Sequence, residues 1–227
     1  MIVRFYKWRK KKKISIIRSM DISLVVTGGE APLMAPPFKY KTIIAADSGY
    51  DNALLLSLLP DVAVGDFDST HYKDILVKEG FKPLPRDKDW SDTEVAINLL
   101  EGKEYDLLGG GGGRVDHLMA ILALFEHYRA PRYWFLRSDI LIRVEHKITL
   151  NLGKDVSISV LPMSGRCAKV KSKGLLWPLD GLTISSGFVS LSNRSSEEVV
   201  EIEGSDSFFV RLESEYALLL STCITTI

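Results

Sequence analysis

From Met20 onward, short runs of β-branched and aliphatic residues alternate with longer segments of helical period, and each apolar run stops at residues suited to a loop. That alternation is the pattern of a parallel sheet covered by helices, and it constrains the fold more than any other feature of the chain. Residues 22–26 end at Gly28-Gly29, residues 42–46 at Asp47, residues 61–64 at Gly65, and residues 105–108 run into five consecutive glycines. Leu54, Leu55, Leu58 and Leu59 have helical spacing between the second and third runs. Ser91 with Glu94 forms a capping box that predicts a helix over 95–100, and residues 118–125 predict another. Past Arg143 the character changes. Runs at 148–152, 156–161, 183–185 and 199–202 are separated by Gly, Ser, Asn and Pro, with no further segment of helical length, which predicts a sandwich or barrel. A domain boundary is therefore expected within 138–147, with an α/β domain over 20–143 and an all-β domain over 144–227.

Charge and cysteine content narrow the function classes. Lys plus Arg equals Asp plus Glu at 29 each, so no global field gathers a polyanion and any phosphate affinity has to be local. No apolar run approaches the ~20 residues of a membrane helix. Cys167 and Cys223 make neither a disulfide framework nor a zinc cluster, as expected of reduced cysteines in a cytoplasmic protein. The amino terminus stands apart: Lys7-Trp8-Arg9 continue into Lys10 to Lys13. A nucleic-acid or membrane tail, a targeting segment and a solvated extension compete for this run; like-charge runs favour the last. Because Met20 directly precedes the first strand-like run, residues 1–19 are expected to lie upstream of the natural start.

The chemistry-bearing residues sit at the strand ends, where sheets of this kind bind ligands. In Gly65-Asp66-Phe67-Asp68-Ser69, two carboxylates one residue apart can share a divalent cation such as Mg²⁺. The plainer alternative is a turn with solvated aspartates. A second acidic set, Asp87-Lys88-Asp89-Trp90-Ser91-Asp92-Thr93-Glu94, opens a helix: Asp92 can complete a cation site and Lys88 can meet phosphate charge, or Asp92 and Glu94 simply complement the helix dipole. Gly109 to Gly113 followed by Arg114-Val115-Asp116-His117 lets backbone amides approach a polyphosphate, with Arg114 adding permanent charge. It is neither a P-loop nor a dinucleotide fingerprint. Asp47-Ser48-Gly49, with Asn52 nearby, suits a nucleotide or a metal-bound water.

Taken in order, AADSGYDN, VAVGDFDST, RDKDWSDTE and GGGGGRVDH resemble the thiamin pyrophosphokinase family, and the resemblance spans roughly residues 22–202. It implies a Rossmann-like α/β nucleotide-binding domain before a β-sandwich, in a homodimer that places thiamin between one subunit's first domain and the other's second. It implies Asp66, Asp68 and Asp92 as Mg²⁺ ligands and, with Arg114, as the catalytic set. ATP would meet Asp47, Ser48, Gly49, Asn52, Lys88, Thr93, Gly111, Gly112, Gly113, Arg114, Asp116 and His117. Thiamin would meet Trp177, Ser190, Ser192 and Asn193. Ser48 stands where many members have glycine, and Arg194 where an acidic or small residue is commoner. The implied reaction is transfer of pyrophosphate from ATP to the thiamin hydroxyl. A pterin pyrophosphokinase and a non-catalytic thiamin or nucleotide sensor are the competing readings.

Overall fold

The structure is a computed structural model describing residues 22–220; the basic run, Met20 and Cys223 lie outside them. Five strands, β1 (Ser23–Val26), β2 (Thr42–Ala46), β3 (Val62–Val64), β4 (Tyr105–Leu108) and β5 (Tyr133–Phe135), run parallel in the order β5-β4-β1-β2-β3. Strand β1 shows why they can. Leu24 and Val26 enter one apolar cluster and Val25 another on the opposite face, all three at 0% exposure, so both faces of the sheet are covered. Helices α3 (Asp92–Asn98) and α4 (Val115–Leu124) cover the Val25 face with Ala96, Ile97, Ile121 and Leu124. Helices α1 (Gly49–Leu55) and α2 (Lys73–Lys78) contribute Tyr50 and Leu76 to a third cluster, around Phe67.

Strand β6 (Asp139–Val144) turns back antiparallel against β5, and β13 (Phe208–Glu213), β8 (Ser157–Pro162) and β11 (Ser190–Arg194) follow beyond it in one nine-stranded sheet. A second sheet holds β10 (Leu182–Ile184), β9 (Ala168–Lys173), β12 (Val199–Gly204) and β7 (Lys147–Asn151), all antiparallel. Strand β7 alternates, with Ile148 and Leu150 buried between exposed residues. Those two residues share a single apolar cluster with Ile158, Val160 and Val210 of the long sheet and with Leu24 and Val26 of β1. The two halves of the chain therefore share a sheet and a core, which the sequence pattern did not foretell. A short helix α5 (Ala217–Leu220) ends the described chain, where no helix was expected. No helix among the described residues is long and apolar enough to cross a membrane.

Local departures from the sequence reading have local causes. Helix α1 stops at Leu55 because Ser57 turns left-handed (φ 58°), so Leu59 lies outside it and stays exposed. Helix α3 begins at Asp92, three residues before the expected start. Ser91 caps it by accepting from the Glu94 amide (3.1 Å), but the Glu94 carboxylate accepts from Tyr128 Oη instead of returning to Ser91, leaving the capping box half made. Helix α4 likewise begins at Val115, ahead of residue 118.

Candidate active site

The strand order sets the location. The chain runs from β1 outward to β2 and β3, then crosses back to place β4 and β5 on the other side of β1, so β1 and β4 flank the reversal point where open α/β sheets leave a crevice. A cavity of about 440 Å³ lies there, lined by Gly28 and Gly29 after β1, Asp47 and Ser48 after β2, and Gly110, Gly113 and Arg114 after β4. The amino-terminal residues of α3 and the His117, Ala120 and Ile121 stripe of α4 close it. Gly109 has to be glycine: its φ is 92°, and a Cβ there would come within 2.4 Å of the Thr27 carbonyl oxygen.

Three carboxylates converge at the edge of this cavity. Asp47, Asp66 and Asp68 each place an oxygen within 4.8 Å of the others. The backbone makes this possible through left-handed residues: Asp47 (φ 47°) at the end of β2, Gly65 (φ 141°) after β3, and Phe67 (φ 58°) between the two aspartates. Phe67 is buried at 1% exposure, and this anchor turns Asp66 and Asp68 toward one side. The Asp68 amide donates to Asp66 Oδ1 (3.1 Å), and Ser69 Oγ donates to Asp68 Oδ1 (2.9 Å), which holds the Asp68 carboxyl below its usual range, helped by the Arg86 charge. Burial pushes the Asp47 carboxyl up, and the Asp92 charge adds to the rise. Asp47 Oδ1 is buried without a hydrogen bond. An orphaned carboxylate oxygen beside two further carboxylates is a donor set suited to a hard divalent cation, so the residues present fit Mg²⁺.

Asp92, expected with Asp66 and Asp68, is not in the close triad. It lines the cavity and faces Lys88 Nζ at 3.0 Å, outside hydrogen-bond geometry, so its Oδ1 is likewise unsatisfied; Lys88 donates to the Pro85 carbonyl oxygen. Asp47, expected around ATP, takes the third place in the triad. The reason is spatial: β2 lies next to β3, so the loops that follow these two strands adjoin.

The remaining expected residues divide. Ser48, Lys88, Thr93, Gly113, Arg114 and His117 line the cavity. Thr93 Oγ1 is hydrogen-bonded to Thr27 Oγ1 (2.6 Å), and Asn52 Nδ2 donates to the Thr27 and Gly29 carbonyls (3.0 and 3.2 Å), so Asn52 shapes the β1–β2 loop instead of facing the cavity. Gly49 packs against β1, where a Cβ would meet Val26 O. Asp116 lies outside the lining and grips Arg114 through two hydrogen bonds, which pushes its carboxyl down to about 2. Gly111 and Gly112 are also outside the lining, although the amides of residues 111–113 donate to no acceptor among the described residues. Trp177, Ser190, Ser192 and Asn193 are elsewhere. Asn193 is buried at 2% exposure and clamps the Trp177 backbone, accepting from its amide and donating to its carbonyl, while Trp177 itself is 56% exposed. Sequence reading passed over Thr27, Ser69, Arg86 and the half-exposed cavity residue Trp90. Ser69, Arg86 and Trp90 lie inside the motifs and Thr27 directly before Gly28-Gly29, but nothing in their spacing marks them.

The molecule is thus an α/β sheet extended by antiparallel strands, with carboxylates, basic side chains and glycine loops gathered at the reversal of strand order. Residues 38–134 match the family model for the thiamin pyrophosphokinase catalytic domain, and residues 145–207 the model for its vitamin B1 binding domain. The chain belongs to the thiamin pyrophosphokinase family. It is 29% identical over 166 residues to thiamine pyrophosphokinase 1 of Oryza sativa subsp. japonica, a match taking in 63% of this chain and 62% of the rice protein's length. Among solved structures, a thiamin pyrophosphokinase family protein from Enterococcus faecalis superposes with a TM-score of 0.66 at 23% identity, covering 86% of this chain and 99% of that one. Thiamin pyrophosphokinase from Candida albicans gives 0.64 at 18% identity, with 85% and 88% covered.

Proposed function

We propose that this protein transfers the pyrophosphoryl group of ATP to the hydroxyl of thiamin, yielding thiamin pyrophosphate and AMP. One observation carries the reading: the catalytic and vitamin B1 binding matches follow one another on a single chain, and the carboxylate triad lies within the first. Residues 20–143 serve ATP and residues 144–227 serve thiamin. The hydroxyl oxygen attacks the β-phosphorus, the bond from that phosphorus to the oxygen of AMP breaks, and the hydroxyl proton passes to a carboxylate of the cavity. Arg114, Lys88, His117 and the amides of residues 111–113 hold the phosphates in line. Asp47, Asp66 and Asp68, with Asp92 of the same cavity, would hold Mg²⁺, which would neutralise charge developing on the transferred group.

Trp177 and its neighbours do not line the cavity, and Leu176, Phe188 and Leu191 are exposed beside them in the sequence. This supports a homodimer in which a partner's Trp177 face meets the cavity; there an aromatic face suits a planar cation. Incubating the protein with thiamin, ATP and Mg²⁺ and separating products by chromatography tests the reaction. Equal thiamin pyrophosphate and AMP are expected; folded protein that binds Mg·ATP and makes neither would overturn it.

A further inference from the structure

Resting on the cation reading above, we infer that Arg86 is a positioning residue that neutralises Asp66 and Asp68 in the free protein and exchanges with the divalent cation for the same oxygens. Each of the two carboxylates has one oxygen tied to its own loop. Asp66 Oδ1 accepts from the Asp68 amide, and Asp68 Oδ1 from Ser69 Oγ. The other oxygen of each faces Arg86: Nη2 donates to Asp68 Oδ2 at 3.1 Å, and Nε lies 3.8 Å from Asp66 Oδ2. The oxygens open to a cation are thus those the guanidinium covers.

The neighbouring basic groups are engaged otherwise. Lys73 Nζ donates to the main-chain oxygen of Asp66, and Lys88 sits between Pro85 O and Asp92. Arg86 is 73% exposed in its side chain, so its ion pairs are weak and solvated and its long stem can swing away. Three carboxylate oxygens within 4.8 Å of one another repel, and the guanidinium relieves that repulsion until a cation replaces it. A displaced Arg86 remains beside the incoming phosphate charge, which suits a guanidinium.

The test uses Mn²⁺ as a spin probe, titrated into the full chain without nucleotide and followed by electron paramagnetic resonance. With its competitor gone, Arg86→Ala binds Mn²⁺ about three- to tenfold more tightly than the parent, and Arg86→Lys falls between. Asp68→Asn binds more weakly than the parent. The thermal midpoint of Arg86→Ala is lower than the parent's without metal and equal to it at saturating Mn²⁺, whereas loss of a purely structural contact would lower both. Parent-like or weaker Mn²⁺ binding by Arg86→Ala, with binding still sensitive to Asp68→Asn, overturns the role of Arg86 alone. No Mn²⁺ binding by any variant overturns the cation site and this inference with it.

Discussion

Asp66 and Asp68 reach one side of their loop only because Phe67, between them, adopts a left-handed conformation and buries its ring. Asp68 is exposed and Asp66 partly buried, and both lie outside the apolar clusters, so Asp66→Ala should lower turnover on the order of 10²- to 10³-fold while leaving the thermal midpoint within a degree or two. Product chromatography and calorimetry on the same preparation check both halves. Arg114 and Asp116 form an ion pair whose pH dependence has a definite sign. The Asp116 carboxyl is depressed to about 2 by the Arg114 hydrogen bonds, so its contribution is complete above the ordinary aspartate value of about 3.9 and is lost as pH falls through about 2. At neutral pH Arg114 is therefore held, and phosphate has to compete for it. Carboxyl-carbon NMR titration should place the Asp116 midpoint near 2 in the parent and back in the ordinary range in Arg114→Ala.

At the scale of elements, the amino terminus of α3 brings Lys88, Asp92 and Thr93 to the cavity, and its start is set by Ser91. Ser91→Ala removes the acceptor for the Glu94 amide and should cost about 0.5–2 kcal/mol, measured by urea denaturation. If the cap also aims Asp92, the apparent KM for Mg·ATP rises in the same variant. The β3–α2 loop depends instead on an apolar anchor. Phe67→Ala should cost about 3–5 kcal/mol and disturb the carboxylate triad, so Mn²⁺ affinity and stability fall together, unlike in Asp66→Ala.

For the whole molecule, one buried charge network joins the loop after β1 to the sheet. Asp106 of β4, at 0% exposure, accepts from Arg132 Nε and Nη2 (3.0 and 2.9 Å) and from Tyr40 Oη (2.9 Å), while the guanidinium lies over the rings of Phe38 and Tyr133 (5.2 and 4.8 Å). Asp106→Ala leaves Arg132 unpaired and should cost about 3–5 kcal/mol by denaturant titration, with no change in which substrates are used. If the thiamin face is supplied by a partner, mixing inactive Asp66→Ala and Trp177→Ala chains should restore about a quarter of parental activity, since half the dimers are mixed and each carries one intact site. No recovery, with exchange of subunits demonstrated, would place both residue sets in one chain's site.

Most of the parallel half was legible in the residues alone, because its signals are local: β-branched runs of the right length, loop residues at their ends, Ser91 as a cap, and acidic or glycine-rich motifs just past β2, β3 and β4; the three-residue β5 and six-residue α2 carry no such signal and were not expected. Which of these motifs meet depends on long-range packing. The spacing of Asp66, Asp68 and Asp92 does not reveal that β2 lies beside β3 and so carries Asp47 into the triad, nor that Asn52 and Asn193 direct their amides into the backbone. Strands β6, β8, β11 and β13 extend the parallel sheet instead of forming a separate layer, since pairing partners in a sheet are chosen by long-range packing that no local window contains. Arg86 is the clearest case. Its identity says only that a positive charge is present, and the 3.1 Å contact with Asp68 across 18 residues of chain is what gives that charge a place in the site.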